Sequence, residues 1–427
     1  MKRTNKVLIF TSSFGEGHKA AARNLQAGMQ HATQGQGEVV IADPLHELSE
    51  RLNIRARDAY LFMINKIPLL YGLLFDDSQK PRVIKDHLRA LRFVTHLFPV
   101  FEKLIEQHKP DVVCSVYPFY STLLKSLTDE GKLPPLQKIT LITDSITIHP
   151  AWLRDLQDTF FVPDQLSKNL LEERAVPAEQ IKVFGFPVSL DFALPEKRKS
   201  PPSLEDGNSP SILYIGNSNK KDVPTLLKGM LEADSSWRIT VTGLGREQKD
   251  LELTEKLQAF VCKTGQEHRV KISNWATNMP ELLMTHHVVI GKAGGATVNE
   301  AISALCPMII NKVVPGQEEG NLQLLRGKEA LIAYAEEPHL IVHNLQRAFA
   351  NNGMLWKQCR QNLQTLSHPD AALKIAKHCL ALEPYAKGQD GQDKPQQTQG
   401  QRLSERIRVL QEIGLRAIKK GRDIINT

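Results

Sequence analysis

Short apolar runs rich in β-branched residues recur along this chain, each followed by a longer stretch of helical period, and the pattern runs twice. KVLIF, EVVIAD, DVVCSV, KITLITD, TFFVPD and IKVFGFP make the first series; SILYIG, RITVTG, RVKISNW, HHVVIG, PMIINKVV and ALIAYA make the second. Strands buried on both faces read as continuous apolar runs, so the alternation predicts parallel sheets covered by helices. Between the series lies ALPEKRKSPPSLEDGNSP (193–210), whose proline, charge and small polar residues cannot bury enough surface to order themselves. The expected architecture is therefore α/β: two doubly wound units, residues 1–192 and 211–384, joined by a linker at 193–210 and facing a central cleft. A glutamine- and glycine-rich tract at 385–402 reads as a disordered linker. Residues 403–427 place Leu403, Ile407, Leu410 and Ile418 at helical intervals among Arg406, Arg408, Arg416, Lys419 and Lys420, a basic amphipathic tail helix.

Composition narrows the function classes. With 427 residues, 41% of them hydrophobic, the chain has enough apolar surface for more than one core. Cys114, Cys262, Cys306, Cys359 and Cys379 are far apart and form no CxxC pair, which excludes a disulfide scaffold and points to a reducing, cytoplasmic compartment. The apolar run after Met1 is too short for a signal peptide, and no run reaches the roughly 18 apolar residues of a spanning helix, so a soluble or peripheral protein is expected. A formal charge of +7 suggests an anionic partner. Aromatics are few, at 6%, and do not interleave with basic residues, so nucleic acid is not an expected partner. No Asp-x-Asp pair is present, and neither a metal nor a cofactor is expected.

Two stretches carry chemistry. In FTSSFGEGHKAA, Gly15 and Gly17 let the backbone turn tightly after the first strand, and the helix beginning near His18 offers unpaired N–H groups to an anion. A histidine there is either a helix-cap or surface residue, or a base able to accept a proton from an attacking hydroxyl. In GKAGGATVNEA, Gly294 and Gly295 form a strand-to-helix turn that fits a diphosphate, with Thr297 near the helix start and Glu300 placed to take ribose hydroxyls. The next loop, PGQEEGN, carries Gln317, Glu318 and Asn321, which either cap a helix start or meet sugar hydroxyls.

Six blocks in order, GxGHxxAA at 15–22, TDSITIHPAW at 143–152, GFPVSLDF at 185–192, NWATNMPELL at 274–283, GKAGGATVNEA at 291–301 and PGQEEGN at 315–321, resemble the monogalactosyldiacylglycerol synthase and processive diacylglycerol glucosyltransferase group. These are relatives of the lipid-linked N-acetylglucosaminyltransferase of peptidoglycan synthesis. The resemblance implies a GT-B type glycosyltransferase of two Rossmann-like domains, moving a hexose from a UDP-sugar to the hydroxyl of diacylglycerol with inversion. It implies that backbone around Trp275 and Ala276 holds the uracil, Glu300 the ribose, Gly294 to Thr297 the phosphates, and Gln317 with Glu318 the hexose, with Asn321 among the donor-binding residues. On the amino-terminal side, His18 matches the base, and Asp144 with His149 a second polar pair that orients the acceptor or shares that role. An aspartate after a strand also caps turns, so Asp144 carries both readings.

One block departs from the group. IGNSNKKD (215–222) stands where these relatives have a run of glycines; Gly216 remains, Asn217 supplies hydrogen bonds, and Lys220 and Lys221 add charge. A UDP-sugar enzyme with another lipid-linked acceptor, a UDP-sugar epimerase and a donor-binding relative without catalysis therefore stay open as alternatives. Residues 59–75 concentrate Leu61, Phe62, Ile64, Leu69, Leu70, Leu73 and Leu74 near Arg82 and Lys85. They read either as a core helix pair or, as the resemblance implies, as a wedge that docks on the cytoplasmic face of an anionic membrane.

Overall fold

The computed structural model describes residues 5–13, 16–48, 97–118, 120–134, 136–153, 159–216, 220–245, 247–316 and 318–383. Gly15, Asn217, Gln317, the positions Leu61, Phe62, Ile64, Leu69, Leu70, Leu73, Leu74, Arg82 and Lys85, and the segments 385–402 and 403–427 lie outside the described residues.

The first series of runs forms a six-stranded sheet of β1 (Val7–Phe10), β2 (Val39–Ala42), β3 (Val112–Ser115), β4 (Gln137–Leu141), β5 (Thr159–Val162) and β6 (Ile181–Val183), in the order β2-β1-β3-β4-β5-β6. The second forms another, β7 (Ser211–Ile215), β8 (Arg238–Thr242), β9 (Val270–Ile272), β10 (Val288–Lys292), β11 (Met308–Lys312) and β12 (Leu331–Tyr334), in the order β12-β11-β10-β7-β8-β9. Every pairing is parallel. All four residues of β1 and of β3 are buried, because helices cover both faces. Strand order reverses between β1 and β3 and again between β7 and β10. At such reversals the flanking connections leave to opposite faces and open a crevice beyond the carboxyl ends of the strands, where ligands of these sheets sit.

Helices α1 (Glu16–Ala32), α2 (Pro44–Leu48), α3 (Phe98–His108), α4 (Tyr120–Asp129) and α5 (Gln165–Glu173) accompany the first sheet. With the second go α6 (Val223–Ala233), α7 (Gln248–Lys263), α8 (Met279–Thr285), α9 (Gly295–Ala304), α10 (Glu319–Gly327) and α11 (Pro338–Gln364). In α1, His18, Ala21, Ala22, Leu25 and Met29 recur at helical spacing and are the buried face. The last described helix, α12 (Ala371–Ala381), returns to the first sheet and packs on α1. Gly28 makes that approach possible, since a Cβ there would lie 2.6 Å from the Ala372 carbonyl oxygen. Asn5 Nδ2 ties the same helix down by donating to the carbonyls of Cys379 (3.1 Å) and Leu382 (2.8 Å). One apolar cluster runs unbroken from Val7 and Ile9 through Phe186 and Val188 to Leu213 and Val289, so the two sheets share a core.

The segment 193–210 is ordered, contrary to the expectation from its composition, because partners outside it hold it. Arg198 Nη1 donates to the carbonyls of Phe192 (2.6 Å) and Ser303 (3.2 Å). His287 accepts at Nδ1 from the Ser211 amide (3.0 Å), which directs its other ring nitrogen to donate to the Pro202 carbonyl (2.9 Å). Leu204 packs on Gly353, and Lys199 and Lys357 pair with Glu281 and Glu205. Among the described residues no helix is long and apolar enough to cross a membrane.

Candidate active site

Residue His18 lies in the first turn of α1, at the β1/β3 reversal, and is 6% exposed. Its ring stands edge-on to Tyr117, centroids 5.3 Å apart, and tilted against Trp152 at 6.1 Å. Burial lowers its pKa to about 4, against a backbone hydrogen bond to Val116 that raises it. Thr143 Oγ1 lies 3.0 Å from its Nδ1, a hydrogen bond whose direction follows the tautomer of the ring. At neutral pH His18 is thus an uncharged imidazole with Nδ1 within hydrogen-bond reach of an O–H group.

The loop after β4 surrounds this ring. Asp144 Oδ2 accepts from Trp152 Nε1 at 2.6 Å; burial raises its pKa to about 6, partly offset by that indole bond. His149 Nδ1 accepts from the Ala151 amide at 3.1 Å, capping the turn Pro150–Leu153. Asp144 is thereby joined to His18 through the fully buried Trp152 ring. Thr143, Tyr117 and Trp152 complete the surroundings of the imidazole; TDSITIHPAW contains two of them, but nothing in their spacing marks a contact with a helix over a hundred residues earlier. Among the described residues Gly17 leaves open space, with nothing beyond its own helix and neighbours within 4 Å of where its Cβ would lie.

Across the crevice, the β7/β10 reversal brings Gly216 and the start of α9 together. Gly216 is enclosed, its Cβ position being 2.7 Å from Leu244 Cδ2. Gly294 precedes α9 and Gly295 opens it; a Cβ on Gly295 would sit 3.5 Å from the Thr143 carbonyl oxygen of the first sheet and 3.9 Å from Asn321 Nδ2. Thr297 turns its methyl toward Gly291. Glu300, three residues further along the helix than a capping acid would stand, has its pKa raised to about 7 by burial, with Arg23 of α1 opposing. Trp275 is 47% exposed on the loop after β9, with Ala276 half-buried beside it.

Glu318 is engaged by its own chain: Oε1 takes Lys292 Nζ at 2.7 Å and Oε2 accepts from the Val314 amide at 3.1 Å. Lys292, at the end of β10, is a cation beside the α9 N-terminus that sequence reasoning passed over, although the Lys-Ala-Gly-Gly order at a strand end signals it. Gly294 makes room for it, since a Cβ there would lie 3.1 Å from Lys292 Cε. Asn321 Nδ2 donates to the Ala293 carbonyl at 2.9 Å. Lys220, read as added charge for a donor, is paired instead with the buried Asp250 at 2.5 Å. Among the described residues no group of three or more His, Cys, Asp or Glu side chains is arranged to hold a metal ion. A groove of about 870 Å³ beside edge strand β12, lined by Tyr334, Arg347 and Met354 among others, contains none of the residues above.

Two sheet crevices face one another, one presenting a neutral imidazole and the other two helix starts with a lysine. Residues 18–188 match the family model for monogalactosyldiacylglycerol (MGDG) synthase, and residues 238–374 that for the glycosyltransferase family 28 C-terminal domain. The chain is 25% identical over 387 residues to the chloroplastic monogalactosyldiacylglycerol synthase of Spinacia oleracea, covering 87% of this chain and 71% of the spinach protein. It is 24% identical over 387 residues to the processive diacylglycerol beta-glucosyltransferase of Bacillus cereus (strain B4264), covering 89% of this chain and 95% of that protein. The fold is similar to that of Acinetobacter baumannii MurG, with a TM-score of 0.54 at 13% identity over 88% of this chain and all of the other. The chain is a glycosyltransferase of the GT-B fold, similar over most of its length to monogalactosyldiacylglycerol synthases and to a processive diacylglycerol glucosyltransferase.

Proposed function

We propose that this protein transfers a hexose, glucose or galactose, from a UDP-sugar to the hydroxyl of diacylglycerol, with inversion at the anomeric carbon. The observation that carries the reading is His18, a buried neutral imidazole whose Nδ1 shares a hydrogen bond with the Thr143 hydroxyl, at the crevice that faces the helix starts of the second sheet. In this reading the acceptor hydroxyl replaces Thr143 at Nδ1 and gives up its proton there as its oxygen bonds to the anomeric carbon. The bond from that carbon to the diphosphate breaks on the opposite face, and UDP leaves toward the α9 N-terminus, where backbone N–H groups and Lys292 meet its charge. Asp144 and His149 hold the β4 loop in shape around the acceptor. Trp275 and Ala276 take the uracil, Glu300 the ribose, and Asn321 a hexose hydroxyl. The reading includes no resident metal.

The acceptor lies in a bilayer, so the reading includes peripheral binding to the cytoplasmic face of an anionic membrane. The apolar run 59–75 and the basic residues near it in sequence support that contact. The test is purified full-length protein with diacylglycerol-containing liposomes and radiolabelled UDP-glucose or UDP-galactose, with and without a chelator. Labelled glycolipid is expected from one or both donors, unaffected by the chelator, and His18→Ala should abolish it while leaving UDP binding intact. Donor binding without any labelled lipid would favour a non-catalytic relative.

A further inference from the structure

The loop after β4 contains a strained turn. Thr147 N–H donates to the Ser145 carbonyl at 2.6 Å, closing a γ-turn about Ile146, whose φ is +59°. A β-branched residue in the left-handed region is a true outlier, and such strain gathers where a site requires it. Here it presses the loop onto the first turn of α10. A Cβ on Gly320 would collide with the Ser145 carbonyl oxygen and lie 2.7 Å from both Thr147 N and Thr147 Oγ1.

At this contact three buried polar atoms have no hydrogen-bond partner: Ser145 Oγ, Thr147 Oγ1 and Asn321 Oδ1. Ser145 is 2% exposed and Asn321 4%. Asn321 spends its Nδ2 on the Ala293 carbonyl, which fixes the amide with its oxygen unmatched. Buried polar side chains are nearly always paired, and removing one from water without a partner destabilises the folded chain. Two hydroxyls from one sheet and a carboxamide oxygen from the other, all neutral, bring no charge of their own to balance a diphosphate or a cation. They suit a ring bearing several hydroxyl groups, each of which donates one hydrogen bond and accepts others.

We propose that Ser145 and Thr147 are sugar-reading residues of the amino-terminal half. When the donor binds, the contact between the β4 loop and α10 parts enough to admit the hexose. The hydroxyls of Ser145 and Thr147, with Asn321 Oδ1, then exchange hydrogen bonds with its hydroxyls. This rests on the hexose-transfer reading and adds to it the residues that recognise the sugar. A site built to bond a hydroxyl discriminates strongly against a ligand that does not supply one, because its polar atoms are then left unpaired.

Full-length wild type, Ser145→Ala, Thr147→Val and Thr147→Ser separate the possibilities by calorimetric titration with UDP, UDP-glucose and UDP-galactose, and by thermal melting without ligand. The ratio of UDP-hexose Kd to UDP Kd should rise about tenfold in Ser145→Ala and Thr147→Val for the donor that wild type uses, and return in Thr147→Ser. Ligand-free midpoints should stay level or rise, since no existing bond is lost. An unchanged ratio, as hydroxyls that merely hold a water would give, overturns the proposal. So does a lowered ligand-free midpoint with sugar affinity intact, which marks a structural role. Wild type that binds neither UDP nor UDP-hexose would instead remove the transfer reading on which the proposal stands.

Discussion

Thr143 and His18, 125 residues apart in sequence, share a buried hydrogen bond of 3.0 Å at the first strand-order reversal. Burial lowers the pKa of this imidazole to about 4; with Nδ1 as the unprotonated nitrogen, the hydroxyl donates to it and stabilises the neutral ring. Thr143→Val should therefore raise the His18 pKa from about 4, by somewhat under one pH unit if the bond is worth about 1 kcal/mol net. The acid limb of kcat/KM should move up by the same amount, and Thr143→Ser should restore it. An acid limb that stays in place in Thr143→Val would mean that the titrating base lies elsewhere.

Burial also sets His18 and Asp144 against each other as pH changes. The folded imidazole titrates near 4, below its ordinary 6.5, so the unfolded chain takes up a proton that the folded chain refuses, and stability falls as pH drops from 6.5 toward 4. Asp144 titrates near 6, above its ordinary 3.8, so the folded chain keeps a proton that the unfolded chain releases, and stability falls as pH rises through that window. Linkage converts each displacement to about 3 kcal/mol at full extent. Relative to wild type, His18→Gln should gain thermal midpoint at pH 4.5 compared with pH 7.5, and Asp144→Asn should gain at pH 7.5 compared with pH 4.5. The same sign for both variants would contradict these assignments.

In the proposed reading Glu300 couples donor binding to pH across the crevice. Its pKa of about 7 leaves it half protonated near neutrality, and Arg23 of α1 opposes that rise. Ribose hydroxyls donate to the ionised carboxylate, so affinity for UDP-hexose should climb with pH through about 7 and then level off. Glu300→Gln should flatten the curve and weaken binding. Arg23→Ala should move the climb to higher pH. Titration calorimetry at half-unit pH intervals reads all three curves, and a wild-type affinity indifferent to pH would take Glu300 out of the ribose role.

How far the sequence reaches is clear from particular elements. Each run read as a strand forms one, because a parallel strand covered on both faces must be apolar at nearly every position, as Val7 to Phe10 are. The glycine loops at His18 and Gly294 are visible for a similar local reason: a strand that turns sharply into a helix needs residues without a Cβ. Strand order is not local, and neither are the contacts that define the site. Nothing near His18 in the chain announces Thr143 or Trp152, and nothing in PGQEEGN tells that Glu318 will be occupied by Lys292 and the Val314 amide. Segment 193–210 shows the opposite failure: its composition is poor in apolar anchors, and its order comes from Ser303 and His287 outside it and from Leu204 seated on Gly353.

Gly17 and Gly320 border the crevice from its two sides, and a methyl group distinguishes their roles. At Gly17 a Cβ would meet nothing within 4 Å among the described residues, whereas at Gly320 it would collide with the Ser145 carbonyl oxygen and crowd Thr147. Alanine is the better helix former by up to about 1 kcal/mol in a helix interior and by less in a first turn, so Gly17→Ala should hold or slightly raise the ligand-free thermal midpoint. If the open space in front of Gly17 admits the acceptor, the same methyl should lower kcat/KM for the lipid while leaving UDP affinity alone. Gly320→Ala must push the two halves apart or strain the β4 loop, which should cost about 1–3 kcal/mol of stability, the usual range for an overpacked contact. Melting curves and lipid kinetics on the two variants check the pair together. A Gly17→Ala protein with full activity toward diacylglycerol would place the acceptor somewhere other than over the first turn of α1.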